Sequence, residues 1–139
     1  MIVLDTNVYL VADRDVAAAD RVARFVERRG DAVGVSSVVV AELLVGVTTA
    51  AERARLVAAT VGRTDPRLVI TPSHADWTAA GEALARLGGD AATKGRSFWN
   101  DVLLAASCAR AGASVVTANA EDFARIRRII PVAVLASPA

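Results

Sequence analysis

The sequence predicts an α/β domain on a mainly parallel central sheet flanked by helices. Three observations carry that expectation: short continuous apolar runs of strand length, longer stretches with apolar residues at helical spacing, and a regular alternation of the two along the chain. No linker, repeat or low-complexity tract divides the series, so residues 1–139 read as one domain.

The elements follow in order. IVL at 2–4 has the pattern of a buried parallel strand and stops abruptly at the carboxylate of Asp5. VAAADRVARFVERR is helical by period and ends at Gly30; AVGV at 32–35 is the second strand. Ser36 and Ser37 offer an N-cap to SVVVAELLVG, whose β-branched run sits where a crossover helix is due. AAERARLVAATVG fits a further helix, followed by the strand RLVIT. Ser73 and Asp76 resemble a capping box with Asp in place of Glu, opening a helix over 74–87. GGDAATKGRS, residues 88–97, is polar, glycine-containing and without period, which predicts a loop. FWNDVLLAASCARAG is an amphipathic helix closed by Gly112; the strand SVVTAN, a short helix EDFARIRR and a last strand PVAVL complete the chain.

Composition narrows the function classes. Hydrophobic residues make up 54 % of the chain, thirty of them alanine, an apolar excess that leaves surface for partners. Fifteen of the sixteen cations are arginine, Lys94 being the exception, and the net charge is only +1. A domain held on nucleic acid by bulk charge is therefore excluded, and any such contact must be local. The single cysteine, Cys108, rules out an internal disulfide and points to a reducing cytoplasm. No basic leader precedes the apolar start, and no run reaches the roughly 20 apolar residues that span a bilayer, so no membrane attachment is expected.

In open parallel sheets, ligand sites lie beyond the carboxyl ends of the strands, near a topological switch point. Asp5 follows the first strand, Asn119 and Asp122 follow SVVT, Asp101 opens the helix feeding that strand, and Glu42 lies one and a half turns into the helix after the second strand. Four carboxylates from remote segments are thus expected at one rim. Like charges so gathered must share protons or bind cations, and an all-oxygen set suits Mg²⁺ or Mn²⁺. Such an ion polarises a phosphodiester and lowers the pKa of a bound water. No other group competes: His74 stands beside a helix cap without a partner, Cys108 reads as a small core residue, Trp77 and Trp99 as core or interface anchors, and no Gly-rich phosphate loop is present.

LDTN at the amino terminus, SSVVVAELLVGV around Glu42, NDVLLAASCARAG around Asp101 and VVTANAEDF together resemble a PIN domain of the VapC toxin type, over almost the whole chain. The resemblance implies a Mg/Mn-dependent endoribonuclease, the toxin of a type II toxin–antitoxin pair, cleaving structured RNA such as tRNA or ribosomal RNA. It makes Asp5, Glu42 and Asp101 the core acidic residues, with Glu42 acting through water. The family's fourth acidic position is Asn119 here, and Asp122, three residues on, compensates or merely caps the following helix. Thr6, Asn7 and Thr117 match small polar positions expected to hydrogen-bond the carboxylates. The implied partners are a VapB-type antitoxin, placing an arginine among the carboxylates, and a second copy of the chain in a homodimer. Lys94 and Arg96, just before the Asp101 helix, are placed to grip RNA phosphates.

Two other classes share parts of this pattern. A Mg-dependent phosphatase of the haloacid-dehalogenase kind also places Asp after its first strand but needs a second Asp two residues on, where this chain has Asn7. A non-catalytic regulatory protein of the same fold is opposed only by the retained acidic set.

Overall fold

The computed structural model describes residues 1–89 and 95–139. Strand β1 (Ile2–Leu4) leads into α1 (Thr6–Arg14) and α2 (Val16–Arg29); then follow β2 (Val33–Ser36), α3 (Ser37–Val45), α4 (Ala50–Ala59), β3 (Val69–Ile70), α5 (His74–Leu87), α6 (Gly89–Arg110), β4 (Ser114–Thr117), α7 (Ala120–Ile126) and β5 (Ala133–Ala136). The five strands form a sheet of order β3-β2-β1-β4-β5, and every pairing is parallel, with Ile2 opposite both Val33 and Ser114. The expected fold class and strand order along the chain are therefore observed.

Alternation within the strands feeds two cores. Ile2, Leu4 and Val116 point to one face and pack with Val8 of α1 and Val22 of α2. Val3 and Val115 point to the other, against Val39 of α3, Leu84 of α5 and Val102 of α6. β2 meets its neighbours closely at Gly34, where a Cβ would lie 2.7 Å from both the Leu68 carbonyl and the Met1 sulfur. Among the described residues no helix is long and apolar enough to cross a membrane.

Three local expectations change. Helix α1 directly follows β1, a segment in which sequence periodicity showed no element; Asp5 caps it by accepting from the Thr6 N–H at 2.7 Å. Within the loop expected over 88–97, Gly88 caps α5 and Gly95 (φ 77°, ψ −168°) breaks the helical backbone, the latter in a conformation only glycine adopts without strain. Arg96 and Ser97 already belong to the continuous helix beyond that break, while the part of the expected loop at 90–94, Lys94 included, lies outside the described residues. Of the two readings of Trp77 and Trp99, core or interface anchor, the first falls: they are 59 % and 51 % exposed.

Candidate metal centre at the carboxyl edge of the sheet

The chain leaves β1 for β2 and β3 on one side and returns through β4 and β5 on the other, which makes the β1/β4 border the switch point. Asp5 stands at the end of β1 and Thr117 at the end of β4, both nearly buried. Asp5 is held on every side. Its Oδ1 accepts from the Thr6 N–H, and its Oδ2 accepts from the Thr117 hydroxyl and the Asn7 amide, each at 2.7 Å. Asn7 in turn accepts from the Ala118 N–H at 3.1 Å, so it ties the β4 exit to the first turn of α1. Thr117 accepts from the Asn119 N–H at 2.9 Å. The carboxylate is thus rigid before any ligand arrives. Burial pushes its pKa up, the charge of Glu42 adds to that, and the hydrogen bonds from Thr117, Thr6 and Asn7 oppose it.

Asp101 enters from α6. It is 5 % exposed, and its Oδ2 accepts from the Asn119 amide at 3.2 Å. The same amide nitrogen donates to Asp122 at 3.0 Å, so Asn119 bridges two carboxylates with one neutral group. Asp122 lies in the first turn of α7, which begins at Ala120 with Asn119 at its cap position; it faces the rim and is not the cap itself. Burial and then the charges of Asp5, Glu42 and Asp122 push the Asp101 pKa up to about 8. Near neutrality its carboxyl therefore holds a proton that a cation would displace.

Glu42 reaches the rim from α3, half-buried. Its Oε2 accepts a hydrogen bond from the Thr6 hydroxyl, and its Oε1 accepts from the Asn100 amide at 2.8 Å. Asn100 was missed by sequence reasoning, although its place directly before Asp101 was a signal: successive helical residues diverge by about 100°, so one turn of α6 can serve two sides of a site. Arg96 is exposed and lines a shallow cavity with Glu42, Val45 and Asn100.

The expected acidic residues are thus brought together from β1, α3, α6 and α7. Every donor is an oxygen, which fits Mg²⁺ or Mn²⁺ and no softer ion. Among the described residues, no three His, Cys, Asp or Glu side chains form a ready-made metal cage. The remaining chemistry-bearing residues stay outside. His74 is exposed at the start of α5, and Cys108 is fully buried, with burial first and then the charges of Asp5 and Asp76 pushing its thiol up to about 12.

The chain is thus an α/β domain with a parallel sheet and an acidic cluster at its switch point. The PIN domain family model matches residues 2–129, and the chain belongs to that family. No curated protein matches it by sequence. Among solved structures it is similar to VapBC-1 from nontypeable Haemophilus influenzae, at 22 % identity and a TM-score of 0.69, with all of both chains covered. It is also similar to FitAB bound to an IR36 DNA fragment, at 20 % identity and 0.68, covering 100 % of this chain and 96 % of that one. VapBC2 from Rickettsia felis, bound to a DNA fragment from its promoter, gives 22 % and 0.66, with 98 % of each chain covered. At these identities the likeness establishes the shared fold.

Proposed function

We propose that this protein is a Mg²⁺- or Mn²⁺-dependent endoribonuclease, the toxin of a VapBC-type toxin–antitoxin pair. One observation carries the reading: Asp101, a buried carboxyl, faces the charges of three others drawn from remote segments, an arrangement that must hold either a proton or a cation. Asp5 and Asp101 would hold the ion, with Glu42 acting through water; Asn119 and Asp122 complete the rim. Bound there, the ion supplies polarisation of the scissile phosphodiester and acidification of a water. The chain's own part is positional. Thr117, Asn7 and the Thr6 N–H fix the Asp5 carboxylate, and Asn119 keeps Asp101 and Asp122 from separating. Arg96 would take an RNA phosphate flanking the cut together with Lys94, a role supported by the cavity that Arg96 shares with Glu42.

The partners follow from the same surface. An acidic rim attracts a guanidinium as it attracts magnesium, which supports an antitoxin segment that inserts an arginine there. Val45, Trp77 and Trp99 are large, exposed and apolar, and the cavities they line share Arg96 and Asn100. Self-association through this patch would form a homodimer with its acidic rims close to the interface.

The test is cleavage of tRNA and ribosomal RNA by purified protein with Mg²⁺, with Mn²⁺ and with chelator. Activity should require metal, and Asp5→Asn or Asp101→Asn should lower the rate at least about a hundredfold. Cleavage that persists in chelator, with both variants fully active, would overturn the reading.

A further inference from the structure

Glu42 differs from the other rim carboxylates in how it is held. Asp5 is gripped from its own turn and from β4, and Asp101 and Asp122 share the Asn119 amide. Glu42 has two donors from two further elements, one for each oxygen: the Thr6 hydroxyl of α1 on Oε2 and the Asn100 amide of α6 on Oε1. A glutamate carries one more rotatable bond than an aspartate, so it gains most from being fixed at both oxygens. Both donors are neutral. An arginine or lysine in the place of Asn100 would fix the carboxylate equally well but would cancel the charge that the rim offers to a cation. An aspartate there would add a further negative charge beside Asp101 and repel Glu42.

We infer that Asn100 is a positioning residue: together with Thr6 it clamps the Glu42 carboxylate towards the Asp5–Asp101 centre without neutralising it. Each carboxylate oxygen has two acceptor directions, so a clamp using one on each leaves the other for a water. Asn100 and Asp101 thereby make one turn of α6 bifunctional, with Asp101 entering the rim directly and its neighbour aiming a residue of α3. The inference rests on the metal-nuclease reading for its consequence, and on the two hydrogen bonds for its geometry.

The test is a double-mutant cycle between Asn100→Ala and Glu42→Gln, read as Mn²⁺ affinity of the RNA-free protein by calorimetry and as kcat and KM on RNA, with folding checked by circular dichroism. Asn100→Ala should weaken Mn²⁺ binding or kcat by roughly 10- to 100-fold, the range for partners that orient ligands, with KM little changed. In the Glu42→Gln background it should add almost nothing, because its target is already lost. Asn100→Gln should recover part of the loss and Asn100→Asp none. Additive losses, or an Asn100→Ala protein with wild-type affinity and kcat, would overturn the inference while leaving the nuclease reading intact. A wild type that binds Mn²⁺ but cuts no RNA would sink the nuclease reading, and the calorimetric cycle would still decide Asn100. A wild type that binds no Mn²⁺ would overturn both.

Discussion

Replacing Asp101 by asparagine should stabilise the metal-free protein at alkaline pH while removing its activity. Asp101 is 5 % exposed, and burial together with the charges of Asp5, Glu42 and Asp122 raises its pKa from 3.8 to about 8. The unfolded chain releases this proton near the ordinary carboxylate value, whereas the folded chain keeps it until about pH 8. Between those values the unfolded state binds fewer protons, so stability falls as pH rises, by about 1.4 kcal/mol per pH unit. From about pH 5 to about pH 9 the wild type should therefore lose about 4 kcal/mol through this one group. Asp101→Asn cannot ionise, and its amide oxygen still accepts from Asn119, so it should be spared that loss. Urea unfolding in chelator at both pH values reads the difference directly. Adding Mn²⁺ at the higher pH should restore the wild type and leave the variant unchanged. Parallel pH dependences for the two proteins would refute the reasoning, because the carboxyl would then not be confined among like charges.

Three further outcomes are expected. Cys108 is fully buried with its thiol pushed up to about 12, so iodoacetamide should label it only on unfolding; rapid labelling of the native protein near pH 8 would contradict the packing. Burial alone would raise the Asp76 carboxyl, but donors from Ser73 and the Arg110 guanidinium at 2.8 Å outweigh it and hold it below the usual range. Its stabilisation is thus present above the unfolded pKa near 3.8 and lost as pH falls through the lower folded value. Asp76→Asn should cost about 1–3 kcal/mol at neutral pH and flatten the acid limb of the stability curve, and an unchanged limb would count against the pair. Trp99→Asp should leave the protein monomeric at tens of micromolar by light scattering if the exposed tryptophan patch is the self-association surface, whereas a persistent dimer would move that surface elsewhere.

The strands were legible because each is a short apolar run, and IVL and SVVT both stop where the rim begins. The capping box at Ser73 and Asp76 was readable for the same reason, since its chemistry is local. Helix α1 was not. Thr6, Asn7, Val8 and Tyr9 are weak helix formers, so the segment after the Asp5 cap shows no helical pattern of its own. At Arg96 and Ser97 the loop expectation ran too far, because the polarity beside Gly95 signals a loop equally well when the glycine marks a break before a helix. At the site, the acidic residues could be proposed from their positions after strands. Their partners are a matter of tertiary geometry: that Asn100 serves Glu42 across 58 positions, or that Asn7 bridges Asp5 to Thr117, leaves no periodic trace in the chain.

The central claim, that the rim is a divalent-metal centre, is tested most directly by titrating the RNA-free protein with Mn²⁺ in a calorimeter, for the wild type, Asp101→Asn and Asn119→Asp. Asn119 offers an amide where a further carboxylate would help to hold a second ion, and its nitrogen bridges Asp101 and Asp122. The account predicts one tight ion in the wild type, loss of that ion in Asp101→Asn, and added metal affinity in Asn119→Asp. Two ions of similar affinity in the wild type, or binding that survives Asp101→Asn unchanged, would contradict it.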